Sequence, residues 1–314
     1  MQVRTSPEQL LGVDLGGTKT ALIAGDASGA VLGRVEFATR PEDGYLQWLA
    51  RLRSAYGNLQ AVAGEWRAAK GGVSCGGPAD WSAGRLKSPP NLPGWTGAPL
   101  RDDLADITGL PFRMEHDGRA GALAEAHFGA GQGCTDLIFL TFGTGIGAGI
   151  ISGGRLIRGA GGSAGEIGHV RLAEDGPEAY GKRGCVESFA SGTGIARLAV
   201  RRFPERFDAE TSAQRVIELA KSGDPDAGAV LRESARRLGE AMAILADLFN
   251  PQVIVLGSLA RRVPEWYLEM AVDVMRAEAL PEASEACRVV PSGLGERLQD
   301  VAALCAAMEG VGPA

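Results

Sequence analysis

The sequence predicts an α/β protein built as two lobes of related topology. Three observations carry that expectation. Apolar runs of strand length alternate with longer segments of helical spacing, the pattern of a layered α/β chain. Glycine, 46 of 314 residues, is gathered in short groups directly after the apolar runs. The segment DLGGTKT near the start has a counterpart, TFGTGIG, in the middle of the chain, which sets Gly143 on Gly16 and Thr141 on Asp14. Each copy reads strand, glycine turn, strand, a repeated unit that implies two similar lobes.

The elements of the first half follow in order. LLGVDLGG, KTALIAGD and AVLGRVEF read as three antiparallel strands, the last two joined by a turn at DASG. Residues 44–59 carry Leu and Trp at helical spacing. KGGVSCGG reads as a fourth strand running into a loop, and SPPNLPGWTGAPL is too rich in Pro and Gly to be anything but loop. LRDDLADIT reads as a helix, FRMEHD as a strand ending on polar residues, and GRAGALAEAHFGAG as a helix.

In the second half TDLIFLTFG and GAGIISGG read as strands, and SGGRLIRG turns back. DAGAVLRESARRLGEAMAILADLF is a long amphipathic helix stopped by Asn250–Pro251. QVIVLGS is a strand, residues 264–280 a helix, RVVPS a strand, and ERLQDVAALCAAME a final helix. The expected division is a first lobe over 1–116, rejoined by the C-terminal segment 296–314, and a second lobe over 117–295.

Composition excludes several classes. With 45% hydrophobic and 22% charged residues the chain can bury a core and is not disordered. The formal net charge is −6 and no Lys/Arg-rich run occurs, so neither nucleic acid nor a membrane surface is an expected partner. Leu137–Ile151, the longest apolar stretch, is interrupted by four glycines and does not read as a membrane span. The five cysteines are odd in number and scattered, and the polar start MQVRTSPEQ lacks a secretory h-region; a cytoplasmic protein with reduced thiols is expected.

Four constellations bear chemistry. In DLGGTKT, Asp14 ends a strand and Gly16, Gly17, Thr18 and Lys19 follow; glycines let backbone N–H groups approach an anion, and Asp14 is placed to hold magnesium through water, although a plain Gly-Gly hairpin reads the same way. TFGTGIGAG offers Gly143, Thr144 and Gly145 as a second such loop. Its match to G-x-G-x-x-A is discounted because a second strand follows where a dinucleotide fold needs a helix. In EHDGRAGALAEA, Asp117 opens a helical run; taken alone it reads as an N-cap, and between two glycine loops it also reads as the base that a phosphoryl acceptor requires. In GGSAGEIGHVRL and GCVESFASG, Glu166, His169 and Glu187 offer hydrogen-bonding groups for hydroxyls, or else an ordinary surface pair.

These elements, in this order, resemble the ROK family of sugar kinases and sugar-responsive repressors over nearly the whole chain. LGVDLGGTKT resembles its first phosphate motif, SPPNLPGWTGAPL its sugar-side loop, EHDGRAGALAE its catalytic strand–helix, GGSAGEIGH with GCVESFASG its signature region, and NPQVIVLGS its nucleoside segment. The resemblance implies an actin-like ATPase (ribonuclease H-like) fold, with ATP and Mg2+ in a cleft between two lobes, and a homodimer. It implies that Asp117 takes the proton from the sugar hydroxyl. Gly77, Asn91, His116, Glu166, His169 and Glu187 surround the sugar, Gly16, Thr18, Gly143 and Thr144 hold phosphates, and Gly257 sits near the nucleoside. The expected reaction is ATP-dependent phosphorylation of a hexose, glucose at its 6-hydroxyl, with an N-acetylhexosamine or fructose as alternative acceptors. A sugar-sensing regulator without catalysis is the non-enzymatic alternative. About nine residues precede the first strand, fewer than a helix-turn-helix module occupies.

Two departures stand out. The family has Asn before the catalytic Asp, whereas this chain has His116. Many members carry C-x-C-G-x-x-G-C, which with the signature histidine completes a zinc site. Here Glu178 and Tyr180 replace the first two cysteines and leave only His169 and Cys185, so no structural zinc is expected.

Overall fold

The computed structural model describes residues 7–308; residues 1–6 and 309–314, and with them the end of the expected 296–314 segment, lie outside the described part. The chain divides into two compact units. The first comprises residues up to Phe128, Arg158–Ser163 and the chain from Glu296; the second comprises Gly129–Ile157 and Ala164–Gly295.

The first unit opens with β1 (Gln9–Leu15), β2 (Lys19–Asp26) and β3 (Val31–Ala38), followed by helix α1 (Tyr45–Ala63) and strand β4 (Lys70–Cys75). A small hairpin, β5 (Ala79–Asp80) and β6 (Arg85–Leu86), precedes α2 (Leu100–Thr108), β7 (Phe112–His116) and α3 (Asp117–Phe128). The main sheet runs β3-β2-β1-β4-β7, with β1, β4 and β7 parallel and β2 and β3 antiparallel. One face is covered by α1 and α2 through Trp48, Leu52, Leu59 and Leu104, all fully buried.

The second unit holds β8 (Leu137–Leu140), β9 (Ala148–Ser152), β10 (Arg155–Leu156), the hairpin β11 (Glu178–Ala179) and β12 (Lys182–Arg183), helices α4 (Val186–Ala190), α5 (Gly192–Arg202), α6 (Ala213–Lys221) and α7 (Pro225–Phe249), strand β13 (Val253–Leu256), helices α8 (Glu265–Glu278) and α9 (Pro281–Ala286), and β14 (Arg288–Pro291). Its sheet runs β10-β9-β8-β13-β14, again three parallel strands extended on one edge by two antiparallel pairings. The two sheets therefore share one strand order, and the short sequence repeat falls at equivalent positions in them.

Helix α10 (Leu298–Ala307) returns to the first unit and packs on β1, β4 and α3. Glycine makes that possible: a side chain at Gly12 would meet Ala303, and one at Gly72 would meet the backbone of Ala306 and Ala307. Helix α3 packs against α10 as well and so belongs with the first sheet; the division falls after it, at Phe128, not at the expected residue 117.

The long helix α7 behaves as its sequence requires. Asp224 accepts from the backbone N–H groups of Asp226 and Ala227, Pro225 fills the first turn, and Asn250 ends the helix in the left-handed conformation. Helices α4, α5, α6 and α9 were not evident in the sequence. Among the described residues no helix is long and apolar enough to cross a membrane. All five cysteines are free thiols, four of them buried.

Candidate active site

In the first unit, the parallel registers bring the carboxyl ends of β1, β4 and β7 level: Leu15 lies beside Cys75, and Cys75 beside His116. Crevices at such strand ends are where open α/β sheets bind ligands. Asp14, Gly76–Gly77 and His116–Asp117 all sit at this edge.

Asp117 is the first residue of α3, so the residue before it occupies the capping position. That role is filled by His116, whose Nδ1 accepts the Gly118 N–H at 3.2 Å. The Asp117 carboxylate also receives this N–H, at 2.6 Å, through Oδ1. Asp117 is 49% exposed while His116 is 14% exposed. The Gly118 N–H is thus shared: the Asp117 carboxylate accepts it at the shorter distance and the His116 imidazole accepts it from the preceding position, while about half of the Asp117 side chain stays exposed. The same Nδ1 lies 3.3 Å from Asp117 Oδ1. The side chain of Asn, which the family carries here, is also a good cap.

His116 is held from behind by residues that sequence reasoning missed. The buried Glu115 accepts from Arg119 Nε at 2.5 Å, from Arg158 at 2.8 Å and from the His116 N–H at 3.0 Å. Arg119, 1% exposed, also donates to the Gly162 carbonyl at 2.6 Å and lies over Trp81 at 4.8 Å. Trp81 in turn meets His116 edge-on at 5.6 Å. The i,i+4 spacing of Glu115 and Arg119 was the available signal, hidden because it straddles a strand–helix junction.

Asp14 is pushed up to about 7, first by burial and then by the Asp117 and Asp300 charges, which Lys19 and Arg34 offset only in part. The turn after it is tight: Gly16 N–H donates to the Lys19 carbonyl at 3.0 Å, and the Thr39 hydroxyl donates to the Gly16 carbonyl at 2.7 Å. A side chain on Gly17 would meet Asn91 at 2.9 Å, so the glycine turn and the Pro-rich loop touch. Gly77 faces His116 and Trp81. Thr18 is exposed, and Lys19 reaches across to Glu36 on β3 at 3.1 Å.

In the second unit, the Gly143–Gly147 loop leaves β8 and is pinned on several sides. Gly143 N–H donates to the Gly145 carbonyl, the Gly143 carbonyl accepts from the Gly192 N–H at 2.7 Å, and the Thr144 carbonyl accepts from the Thr193 N–H at 3.1 Å. The start of α5 is thereby fixed to the loop. Gly257 follows β13, and its N–H donates to the Leu140 carbonyl at 2.8 Å; a side chain there would collide with the Thr141 carbonyl oxygen. A cavity of about 1760 Å³ opens beside this loop, lined by Gly143, Thr144, Thr193, Arg197, Gln214, Lys221, Ser258 and Arg261 among others. Gly257 itself does not line it; the following Ser258 and Leu259 do. The lining from α5 and α6 was invisible in the sequence because those helices were.

Glu187, on α4, is half-buried, and its carboxylate accepts from the Ile146 N–H at 3.3 Å and lies 3.2 Å from where a side chain on Gly145 would stand. Burial raises its carboxyl, opposed by hydrogen bonds from Ile146 and from the Tyr180 hydroxyl. Glu166 and His169 flank a 3-10 turn, Ile167–His169, and both are exposed. The His169 ring meets the Tyr180 ring at 5.9 Å. Cys185 is buried with its Sγ toward the Lys182 carbonyl. With Glu178 and Tyr180 in place of cysteines, the donors of this loop do not fit a tetrahedral structural zinc ion, and among the described residues no group of three or more potential ligands converges.

Residues 10–305 match the model of the ROK family. The chain belongs to the ROK family. A glucokinase of Halalkalibacterium halodurans is 30% identical over 299 residues, covering 91% of this chain and 90% of its own. An N-acetylmannosamine kinase of Yersinia pestis is 34% identical over 250 residues, 79% of this chain and 81% of its own. A xylose repressor of Caldicellulosiruptor bescii is 33% identical over 214 residues, 65% of this chain and 53% of its own. Among solved structures, the ROK hexokinase of Thermus thermophilus superposes with a TM-score of 0.83 at 34% identity, over 95% of this chain and 97% of that one. A Streptomyces griseus glucokinase in complex with glucose and AMPPNP gives 0.80 at 31% identity, over 96% of this chain and 100% of that one. The fold of this ROK chain is accordingly the actin-like ATPase fold, and the shared strand order of its two sheets is that fold's internal repeat.

Proposed function

We propose that this ROK protein is an ATP-dependent hexose kinase acting on the 6-hydroxyl of glucose. The observation that carries the reading is the placement of Asp117: a half-exposed carboxylate at the junction of β7 and α3, with a charge that is felt at Asp14. A general base must be open to its substrate, and this one is half-exposed at the strand-end edge of the sheet.

In this reading the sugar ligands are Gly77, Asn91, His116, Glu166, His169 and Glu187. Asp117 accepts the proton of the attacking hydroxyl as its oxygen bonds to the terminal phosphorus of ATP and ADP leaves. In the turns at Gly16–Thr18 and Gly143–Gly145, whose first N–H groups are engaged within the turns themselves, the following backbone N–H groups hold phosphate oxygens. The cavity beside Thr144 and Ser258 takes the nucleoside, with Gly257 permitting the close approach of β13 to β8 that shapes it. Asp14 would hold Mg2+ through water. The donor set fits an ion held mainly by phosphate and water, because carboxylates that raise one another's pKa offer oxygen ligands to a divalent cation. When bound, that ion neutralises charge on the transferring phosphoryl group.

The test is coupled-assay turnover with ATP and a panel of glucose, N-acetylmannosamine, N-acetylglucosamine and fructose. Glucose is expected to give the highest kcat/KM. Preference for an N-acetylhexosamine would replace the acceptor, and absence of ATP turnover with every hexose would sink the enzyme reading in favour of a sugar-binding regulator.

A further inference from the structure

The hairpin β11–β12 is closed by two residues, Tyr180 and Gly181, both with positive φ, at 51° and 69°. Two consecutive left-handed residues are what a type I′ turn demands, and the first is ordinarily Asn, Asp or Gly. A tyrosine there carries a backbone cost, on the order of 1 kcal/mol, that Asn or Gly largely avoids. Local rules broken in this way concentrate at functional positions. The side chain is not turned into a core that would offset the cost, since Tyr180 is 57% exposed and lines the same cavity as Gly143 and Thr144.

Its contacts give the reason. The Tyr180 ring faces the ring of His169 at 5.9 Å, and its hydroxyl is close enough to the Glu187 carboxylate to oppose the rise that burial gives it. That carboxylate is the one that accepts from the Ile146 N–H in the loop after β8. The hairpin under it is itself fastened: Arg197 donates to the Glu178 carbonyl at 2.7 Å, and Lys182 donates to the His169 carbonyl at 2.5 Å. Tyr180 thus touches both polar side chains that flank the turn at Ile167–His169 and α4, from a turn whose backbone is fixed.

We propose that Tyr180 is a positioning residue for Glu187 and His169, and that it sets the affinity of the site for sugar hydroxyls. The inference rests on the reading of those two residues as sugar ligands. Glu187 then accepts from the Ile146 amide and has the Tyr180 phenol beside it, which limits the rotamers from which its carboxylate can meet a hydroxyl. A carboxylate with one donor removed samples other rotamers and recognises that hydroxyl less well.

Two variants separate this role from support of the fold. Tyr180→Phe deletes only the hydroxyl and keeps the ring against His169. Tyr180→Asn deletes the phenol while supplying a residue suited to the turn. Both are expected to leave the thermal midpoint unchanged or, for Tyr180→Asn, slightly raised. Calorimetry without nucleotide is expected to show glucose binding weakened about fivefold in Tyr180→Phe and more in Tyr180→Asn, and kinetics to show the same rise in KM for glucose with kcat and the KM for ATP within about twofold. Hydrogen exchange at the Ile146 amide, which needs no ligand, should quicken in Tyr180→Phe as Glu187 loosens. If sugar fails to bind the parent protein, the functional reading falls and the exchange rate still reports the Tyr180–Glu187 link. Unchanged exchange together with unchanged sugar affinity in both variants overturns the proposal.

Discussion

The two units have the same sheet and opposite chemistry. Each has three parallel strands whose carboxyl ends face a glycine turn. At that edge the first unit gathers acids, Asp14 and Asp117, close enough that one raises the other. The second has Thr141 and Thr144 at the corresponding edge, where the Thr141 hydroxyl accepts from the Gly147 N–H at 2.8 Å to shape the loop. On the proposed function, the repeated scaffold is divided between an acidic edge that accepts a proton and attracts a cation and an edge of backbone donors and hydroxyls. Fold therefore predicts where each edge lies, and the residues at the strand ends decide what it does.

The largest test of that division is Asp117→Asn. It removes the base and keeps the shape, so kcat should fall on the order of 10²–10⁴-fold while glucose binding, measured by calorimetry, stays within a few-fold. A wild-type rate would remove Asp117 from the mechanism. Next comes Gly143→Ala in the other unit. An added methyl would find only Thr141 O at 3.4 Å and Ser258 Oγ at 3.7 Å, ordinary contacts, so the thermal midpoint should hold. The KM for ATP should nonetheless rise about tenfold, because the methyl occupies the approach of a phosphate to the backbone. A parallel loss of glucose affinity would blur the contrast between the edges.

Asp14 gives a smaller effect with a definite sign. Its carboxyl is raised to about 7 in the folded protein from an ordinary value of 3.8. The folded state then holds more protons than the unfolded one between these values, so stability falls as pH rises through this window. Asp14→Asn should be no more stable than the parent near pH 4 and more stable by on the order of 1–2 kcal/mol above pH 7, read from denaturant titrations at the two pH values without nucleotide. An advantage that is constant with pH would show that the Asp14 charge is not its source. The smallest effect is expected from His116→Asn. Asn can cap α3 in place of the imidazole, so kcat should change less than about threefold, with the shift confined to KM and to the relative preference among hexoses.

Much of the fold was legible because strands and the glycine turns after them obey local rules. LRDDLADIT was readable as a helix to the residue, and α7 announced its end through Asn250–Pro251. What was not legible depends on tertiary structure. Helix α4 is five residues of VESFA, and α5 opens on Gly192 and Gly194, where close approach to Gly143 and Glu187 leaves no room for side chains. Propensity argues against helices there, and packing overrides it. The candidate site divides the same way. The residues at strand ends could be named from order alone, whereas Arg158 and Trp81, which hold His116 in place through Glu115 and by ring contact, come from loops that only folding brings near it.

The return of α10 to β1 and β4 has a consequence for the order in which the protein is made. The first sheet is synthesised early, but the helix that covers its second face begins only at Leu298, after all of the second unit. During vectorial synthesis the glycine-lined seat at Gly12 and Gly72 must stay open while the second unit, whose segments lie close together along the chain, emerges and folds. A nascent chain arrested short of Leu298 should therefore hold a protease-resistant second unit beside a first unit that is still cleavable, and release of the last helix should seal it.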